Sequence, residues 1–225
     1  MPSARQESYR FLSPLVVVIL LLLPVSYFLP NELMKDVLFA LLFVLQLLFC
    51  FIVYFFRDPE RVVPADEAII VSAADGLVVG IDEMEEPDFH LGRMIRIAVF
   101  LSVFDVHVNR SPATGVVKST TYKPGQFLDV RHPDSSTRNE CRSWLLETER
   151  GPLAVRQIAG LIARRIVAWS AEGKTLARGE RMGMIRFGSR TEVFVPLGST
   201  VLVKVGDRVE GAATPIARWA GGGKA

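Results

Sequence analysis

The residues that most invite chemistry are Gly188-Ser189, set in Arg186-Phe187-Gly188-Ser189-Arg190. The pair lies between an apolar run (Met182, Met184, Ile185) and an alternating run (Val193, Val195, Leu197). Glycine has no Cβ, so the peptide bond before Ser189 can be reached and bent by its own neighbours. A serine hydroxyl so placed is a potential intramolecular nucleophile, provided a base and an oxyanion site fold around it. A bare Gly-Ser is usually a turn. Its surroundings must decide.

The base would come from three histidines. His107 lies in Phe104-Asp105-Val106-His107-Val108-Asn109-Arg110-Ser111-Pro112, at the end of an apolar run where a side chain can be held firmly. His90 and His132 lie in polar, loop-like surroundings. A single histidine is more often structural than catalytic, but a serine-centred reaction needs a nearby base, and a strand end suits one. Asp75, in Ser72-Ala73-Ala74-Asp75-Gly76, has two readings. Asp-Gly is a turn dipeptide; a carboxylate there could also orient an imidazole and complete a Ser-His-Asp arrangement. Such groups meet only in space, so both readings stand. Arg96, Arg110, Arg164 and Arg165 could bind phosphate, although single arginines are more often solvated or paired. Scattered histidines and unclustered cysteines predict no metal site.

The elements that must position these residues are mostly strands. Runs at 68–72, 77–81, 94–101, 106–108 and 115–117 alternate with Gly and Pro punctuation, which predicts a β-rich domain. In 157–170, Ile158, Leu161, Ile162, Ile166 and Val167 fall near a helical period, predicting a short helix. The tail returns to strands at 200–205 and 214–217, with Gly206-Asp207 placed to turn a hairpin. That tail resembles part of a biotinyl/lipoyl-type barrel sandwich, without the Met-Lys-Met setting that carrier domains modify.

The N-terminus is of another kind. Residues 11–29 and 37–56 contain no charge, and at about 1.5 Å per residue each makes a helix long enough to cross a bilayer core of about 30 Å. The expected fold is therefore two N-terminal transmembrane helices followed by a mainly-β (α+β) domain with a barrel-sandwich-like core and at least one short helix. Arg5, Arg10, Arg57 and Arg61 flank the hairpin on its outer side, whereas the connector has only Lys35 beside Glu32 and Asp36. The positive-inside bias places both ends and the soluble domain in the cytoplasm. Cys50 and Cys141 form no disulfide framework, in agreement. A net charge of +2 gives no argument for nucleic acid.

Taken in order, Phe56-Arg57-Asp58-Pro59, Ser72-Ala73-Ala74-Asp75-Gly76, Phe104 through Arg110, Asn139-Glu140, Gln157-Ile158-Ala159-Gly160, Ala163-Arg164-Arg165-Ile166 and Gly183 through Arg190 resemble the phosphatidylserine decarboxylase proenzyme family, in its short, archaeal-type class. The resemblance implies a lyase that matures by autocatalytic serinolysis. Ser189 Oγ would attack the Gly188 carbonyl, and elimination would divide the precursor into a β chain (1–188) and an α chain (189–225). Ser189 would become a covalent pyruvoyl group, the cofactor, whose ketone forms a Schiff base with the substrate amine. Asp75 and His107 would be orienter and base. Expected boundaries are a cytoplasmic N-terminus (1–10), a transmembrane hairpin (11–56) and a cytoplasmic decarboxylase domain (57–225). The implied partners are phosphatidylserine in the inner membrane, the paired α and β chains, and a second copy in a homodimer; the product is phosphatidylethanolamine.

Longer members of the family cut at a Leu-Gly-Ser-Thr motif, which here occurs at Leu197-Gly198-Ser199-Thr200. Ser189 is preferred because 183–190 matches as a block and Ser199 lies past the strand that should follow the cut. Two other functions compete: a membrane-anchored adaptor without catalysis, and a pyruvoyl enzyme for a soluble amino acid. An uncut chain would favour the first, and failure to produce ethanolamine lipid the second.

Overall fold

The computed structural model describes residues 3–129, 132, 134–161, 165–186 and 189–221. The chain divides into two compact units, 1–58 and 59–225. In the first, α1 (Ala4–Phe28) and α2 (Glu32–Phe55) pack on each other through a link too short for any other element. Ser3 caps α1 by accepting from Gln6 N–H, with the Gln6 side chain answering to the Ser3 N–H. Asn31 caps α2 by accepting from Leu33 N–H at 2.9 Å. α1 starts ahead of the uncharged run, at Ala4. With 25 and 24 residues, the helices are about 37 and 36 Å long. Both are long and apolar enough to cross a membrane.

The second unit is mainly β. In chain order its described elements are β1 (Ile69–Val71), β2 (Gly76–Glu85), β3 (Arg93–Leu101), β4 (Val108–Arg110), β5 (Gly115–Lys123), the single-turn α3 (Ser135–Arg138), β6 (Cys141–Thr148), β7 (Gly151–Ala159), β8 (Ile166–Ala168), β9 (Thr175–Leu176), β10 (Arg181–Ile185), β11 (Ser189–Pro196), β12 (Thr200–Val201), β13 (Arg208–Val209) and β14 (Pro215–Arg218). Eight form one antiparallel sheet in the order β13-β2-β3-β11-β7-β6-β5-β9. Register shifts at Val78/Gly80 and Val117/Ser119 bend β2 and β5 and help curl the sheet into a half-barrel. Two three-stranded sheets, β1-β14-β12 and β4-β10-β8, complete the unit.

Alternation decides which side chains meet. On one face Ile97 and Val99 of β3, Val193 and Val195 of β11, Leu153 and Val155 of β7, and Trp144 and Leu146 of β6 share the main core. Each such fully buried side chain is worth about 1.5–3 kcal/mol relative to exposure. On the other face Met94, Ala154 and Phe194 form a smaller cluster with Met84, Phe89 and Leu91. Covered on both sides, β11 is the central strand from which the site is built.

Two expectations fail. Within 157–170, Gln157 to Ala159 belong to β7 and Ile166 to Ala168 to β8; residues 162–164 lie outside the described set. Ile158 is paired on both sides, with Cys141 and Arg190, and these ladders override a helical spacing of apolar residues. The short helix is α3 instead. The Gly206-Asp207 turn joins no hairpin: β12 pairs with β14 and β13 with β2, so the turn passes the chain from one sheet to another. Gly206, at φ +98°, supplies the left-handed backbone needed there.

Candidate active site

Ser189 is the first residue of β11, opposite Leu101 of β3 and Ala159 of β7. It is fully buried, and its Oγ has no hydrogen-bond partner among the described residues. Leaving a buried hydroxyl unpaired costs about 1–3 kcal/mol, so a group in this state calls for a functional reason. Phe187 and Gly188, and with them the peptide carbonyl Ser189 would attack, lie outside the described residues.

The fold brings His107 to the chain that leads into Ser189. β10 pairs with β4, Met184 opposite Val108 and Gly183 opposite Asn109, and Ile185 N–H donates to the His107 carbonyl at 3.3 Å. The link 185–189 thus has its two ends fixed to the two ends of the loop 101–107: Ile185 to His107, Ser189 to Leu101. His107 is fully buried. Its Nδ1 is 2.9 Å from the Asp105 carbonyl oxygen. A carbonyl only accepts, so Nδ1 carries the proton and Nε2 is the basic nitrogen.

Asp105 also fastens this loop with its side chain. Its carboxylate accepts from Ser102 N–H at 2.8 Å and Ser102 Oγ–H at 2.6 Å, and pairs with Arg208 at 2.9 Å. Asn109 ties the far side: Nδ2 donates to the His107 carbonyl at 3.3 Å, and Oδ1 accepts from Thr191 Oγ1–H at 2.7 Å. Asp105 and Asn109 both stood in the histidine-bearing segment, but nothing in their types distinguished a loop clamp from a turn.

Asp75 is held by other groups. Its Oδ2 accepts from Arg61 at 2.5 Å and its Oδ1 from Gly211 N–H at 2.8 Å. Arg61 also pairs with Glu210 at 2.5 Å. Burial pushes the Asp75 carboxyl above its ordinary value, against the opposing pull of Gly211 N–H and Arg61. The imidazole nitrogen that an orienting carboxylate would take is occupied by the Asp105 carbonyl.

The arginines have defined places. Arg110 is buried and donates to the carbonyls of Gly179 and Pro59, both at 3.0 Å. Arg96 makes a two-pronged pair with Asp82 at 2.8 and 2.9 Å. It also joins Arg190 and Arg156 around the buried carboxylate of Glu192, at 3.1, 3.1 and 3.8 Å. The Arg190 contact is off-angle for a hydrogen bond, so it acts as an ion contact. Burial holds the Arg190 guanidinium below its ordinary value; Glu192 opposes this, while Arg96 and Arg156 reinforce it. These charges lie on the sheet face away from Ser189, immediately behind it. Arg165 accepts from Arg186 N–H through its carbonyl, and Arg164 is outside the described residues. His90 is exposed at φ +58°; His132 is also exposed, its Nδ1 accepting from Asp134 N–H. Among the described residues no three His, Cys, Asp or Glu side chains group to hold a metal.

Fold and site together define a mainly-β protein with an apolar helical hairpin, in which Ser189 and His107 are each fully buried. Comparison with known proteins assigns it further. Residues 48–217 match the phosphatidylserine decarboxylase family. A phosphatidylserine decarboxylase proenzyme of Symbiobacterium thermophilum is 45% identical over 219 residues, 96% of each chain. Proteins of the same description from Geobacter metallireducens and Geotalea daltonii are 43% and 49% identical, over 90% of each chain and over 70% and 74% of the two chains, respectively. The chain belongs to the phosphatidylserine decarboxylase family.

Proposed function

We propose that this chain decarboxylates phosphatidylserine to phosphatidylethanolamine at the cytoplasmic face of the membrane, after cutting itself between Gly188 and Ser189. The observation that carries this is the buried Ser189 Oγ, without a hydrogen-bond partner among the described residues, at the head of the central strand beside a link pinned to His107. In the maturation step Ser189 Oγ–H gives its proton to a base and attacks the Gly188 carbonyl. The peptide C–N bond breaks as an ester forms, and the proton goes to the freed amine. Removal of the Ser189 α-proton expels Gly188 as a carboxylate, ending the β chain. The remaining enamine takes up one water, releases ammonia and leaves a pyruvoyl group on the α chain, 189–225. His107, with Nδ1 protonated on the Asp105 carbonyl, offers Nε2 for these transfers. The pyruvoyl group is a ketone that condenses with an amine and accepts electrons as carbon dioxide leaves.

The surroundings fit such a group. The Ser189 position is water-excluded, so a small ketone there would be protected, and among the described residues Oγ has no hydrogen bond that must be broken first. Ser199 also has a buried Oγ with no hydrogen-bond partner among the described residues. It lies beyond Pro196, the other end of β11, which is about 23 Å from Ser189 by strand rise, and so away from the His107 end. The geometry favours Ser189. Asp75, a half-buried carboxylate of raised pKa, is kept as the proposed orienter: it would take His107 Nδ1 from the Asp105 carbonyl once Arg61 is displaced. The apolar hairpin would hold the site where a lipid substrate resides, and a homodimer is the proposed assembly.

The test is intact mass under denaturing conditions on freshly purified full chain, beside Ser189→Ala. The expected result is two fragments divided at 188/189, with the smaller lacking a free N-terminal amine, and an Ala variant that stays whole. A folded wild-type chain that stays whole would overturn self-processing; a cut at 198/199 would move the centre to Ser199. Conversion of phosphatidylserine in vesicles, against free serine, separates the lipid enzyme from one acting on a soluble amino acid.

A further inference from the structure

Gln157 is fully buried, and neither its Nε2 nor its Oε1 has a hydrogen-bond partner among the described residues. A side-chain amide can make several hydrogen bonds, and burying one without any costs more than burying the hydroxyl of Ser189. Its place explains why it is tolerated. Gln157 sits on β7 opposite Thr191, and Ala159, two residues on, sits opposite Ser189. Paired residues and their second neighbours share a face, so Gln157 and Ser189 point to the same side of the sheet, diagonal neighbours about 7–8 Å apart at the backbone. Over that face lies Gly183 of β10, paired with Asn109. A Cβ on Gly183 would stand 3.4 Å from both amide atoms of Gln157, so the amide lies against the bare glycine backbone. Thr191, also on this face, is already spent on Asn109. Arg142, opposite Gln157 on β6, has its guanidinium over the Tyr122 ring, 5.3 Å from the centroid.

We propose that Gln157 is a substrate-recognition residue whose amide N–H₂ donates to the α-carboxylate of the amino-acid head group. This rests on the reading of Ser189 as the pyruvoyl position. An α-amino acid carries amine and carboxylate on one carbon, so a substrate joined through its amine at 189 brings its carboxylate within a glutamine's reach. The residue type suits the reaction. A buried arginine would pair with the carboxylate and stabilise the ground state, whose charge must leave the carboxylate as carbon dioxide forms. A neutral amide orients the group without that opposing stabilisation. It also favours a head group with a carboxylate over one without, because the product cannot satisfy the amide.

The experiment uses purified full chain with vesicles containing either phosphatidylserine or phosphatidylethanolamine, and cyanoborohydride to fix bound amine onto the α chain. Initial gain of α-chain mass is followed against lipid concentration, summing adducts with and without the carboxyl group. Gln157→Leu and the near-isosteric Gln157→Glu are compared with wild type. Expected is at least a tenfold loss of trapping efficiency with the serine lipid in both variants, largest for Glu by charge repulsion, and less than a twofold change with the ethanolamine lipid. Equal loss with both lipids, an unchanged serine-lipid response, or failure of both variants to mature would overturn the proposal and make Gln157 a packing residue. A wild-type chain that neither splits nor traps either lipid would instead defeat the pyruvoyl reading itself.

Discussion

Replacing Asp105 with Ala tests whether the loop before β4 is a positioning device for His107. The substitution leaves the Asp105 carbonyl in place and removes only the carboxylate, which holds Ser102 N–H at 2.8 Å and Ser102 Oγ–H at 2.6 Å. Hydrogen bonds to a charged, partly buried group contribute about 1.5–3 kcal/mol each. The third arm, Arg208, is 69% exposed and contributes under about 1 kcal/mol. If roughly 1.4–2.8 kcal/mol of this restraint serves to hold the imidazole, maturation slows about 10- to 100-fold. Asp105→Asn, which keeps an acceptor for Ser102, should fall between Ala and wild type; Arg208→Ala should slow the cut no more than about fivefold. The assay is a time course of intact mass after synthesis into detergent or nanodiscs, following precursor into fragments. Added imidazole, which replaces a misplaced base but not a collapsed fold, should restore part of the Asp105→Ala rate. A variant that matures at the wild-type rate would refute the reasoning, as would slow maturation that Asn fails to relieve.

Other outcomes follow from the charges and contacts around β11. On an uncleaved Ser189→Ala background, Glu192→Gln leaves three buried arginine contacts without their carboxylate and should lower stability by about 3–5 kcal/mol, read from chemical unfolding. Burial alone would raise the Asp88 carboxyl, but hydrogen bonds from Lys123 and Ser143 and the charge of Arg156 outweigh it and hold it below its ordinary value. Its contribution is therefore present above its unfolded value, in the ordinary carboxylate range, and is lost as pH falls through the lowered folded value. Asp88→Asn should lower the unfolding midpoint at pH 7 and flatten its decline in acid; an unchanged acid limb would exclude Asp88 as a source of it. Gly183→Ala would place a methyl group 2.7 Å from the Val167 carbonyl oxygen, forcing β10 from β8. It should reduce stability by about 1–3 kcal/mol and leave a larger uncut fraction, measured by mass.

Much of the molecule could be read along the chain. Two uncharged runs of bilayer length need only hydrophobicity and the rise of a helix, both local properties. The β-rich character of the rest followed from alternation and Gly-Pro punctuation, and Ser189 and His107 stood out because few residue types can serve as nucleophile or base. What the residue order could not hold was pairing. A run with helical spacing became strands because β7 found β11 and β6 as neighbours, and a Gly-Asp turn changed sheets rather than closing a hairpin because β12 and β13 had better partners elsewhere. The same applies to the site. Asp105, Asn109 and Gln157 are ordinary polar residues until register sets Gln157 beside Thr191 and Asn109 beside Gly183. Burial then removes water as a substitute partner, so each hydrogen bond made or missing acquires an energetic meaning. Composition and period set which elements form; the long-range ladders alone decide which side chains share a dry face, and hence which of them can do chemistry.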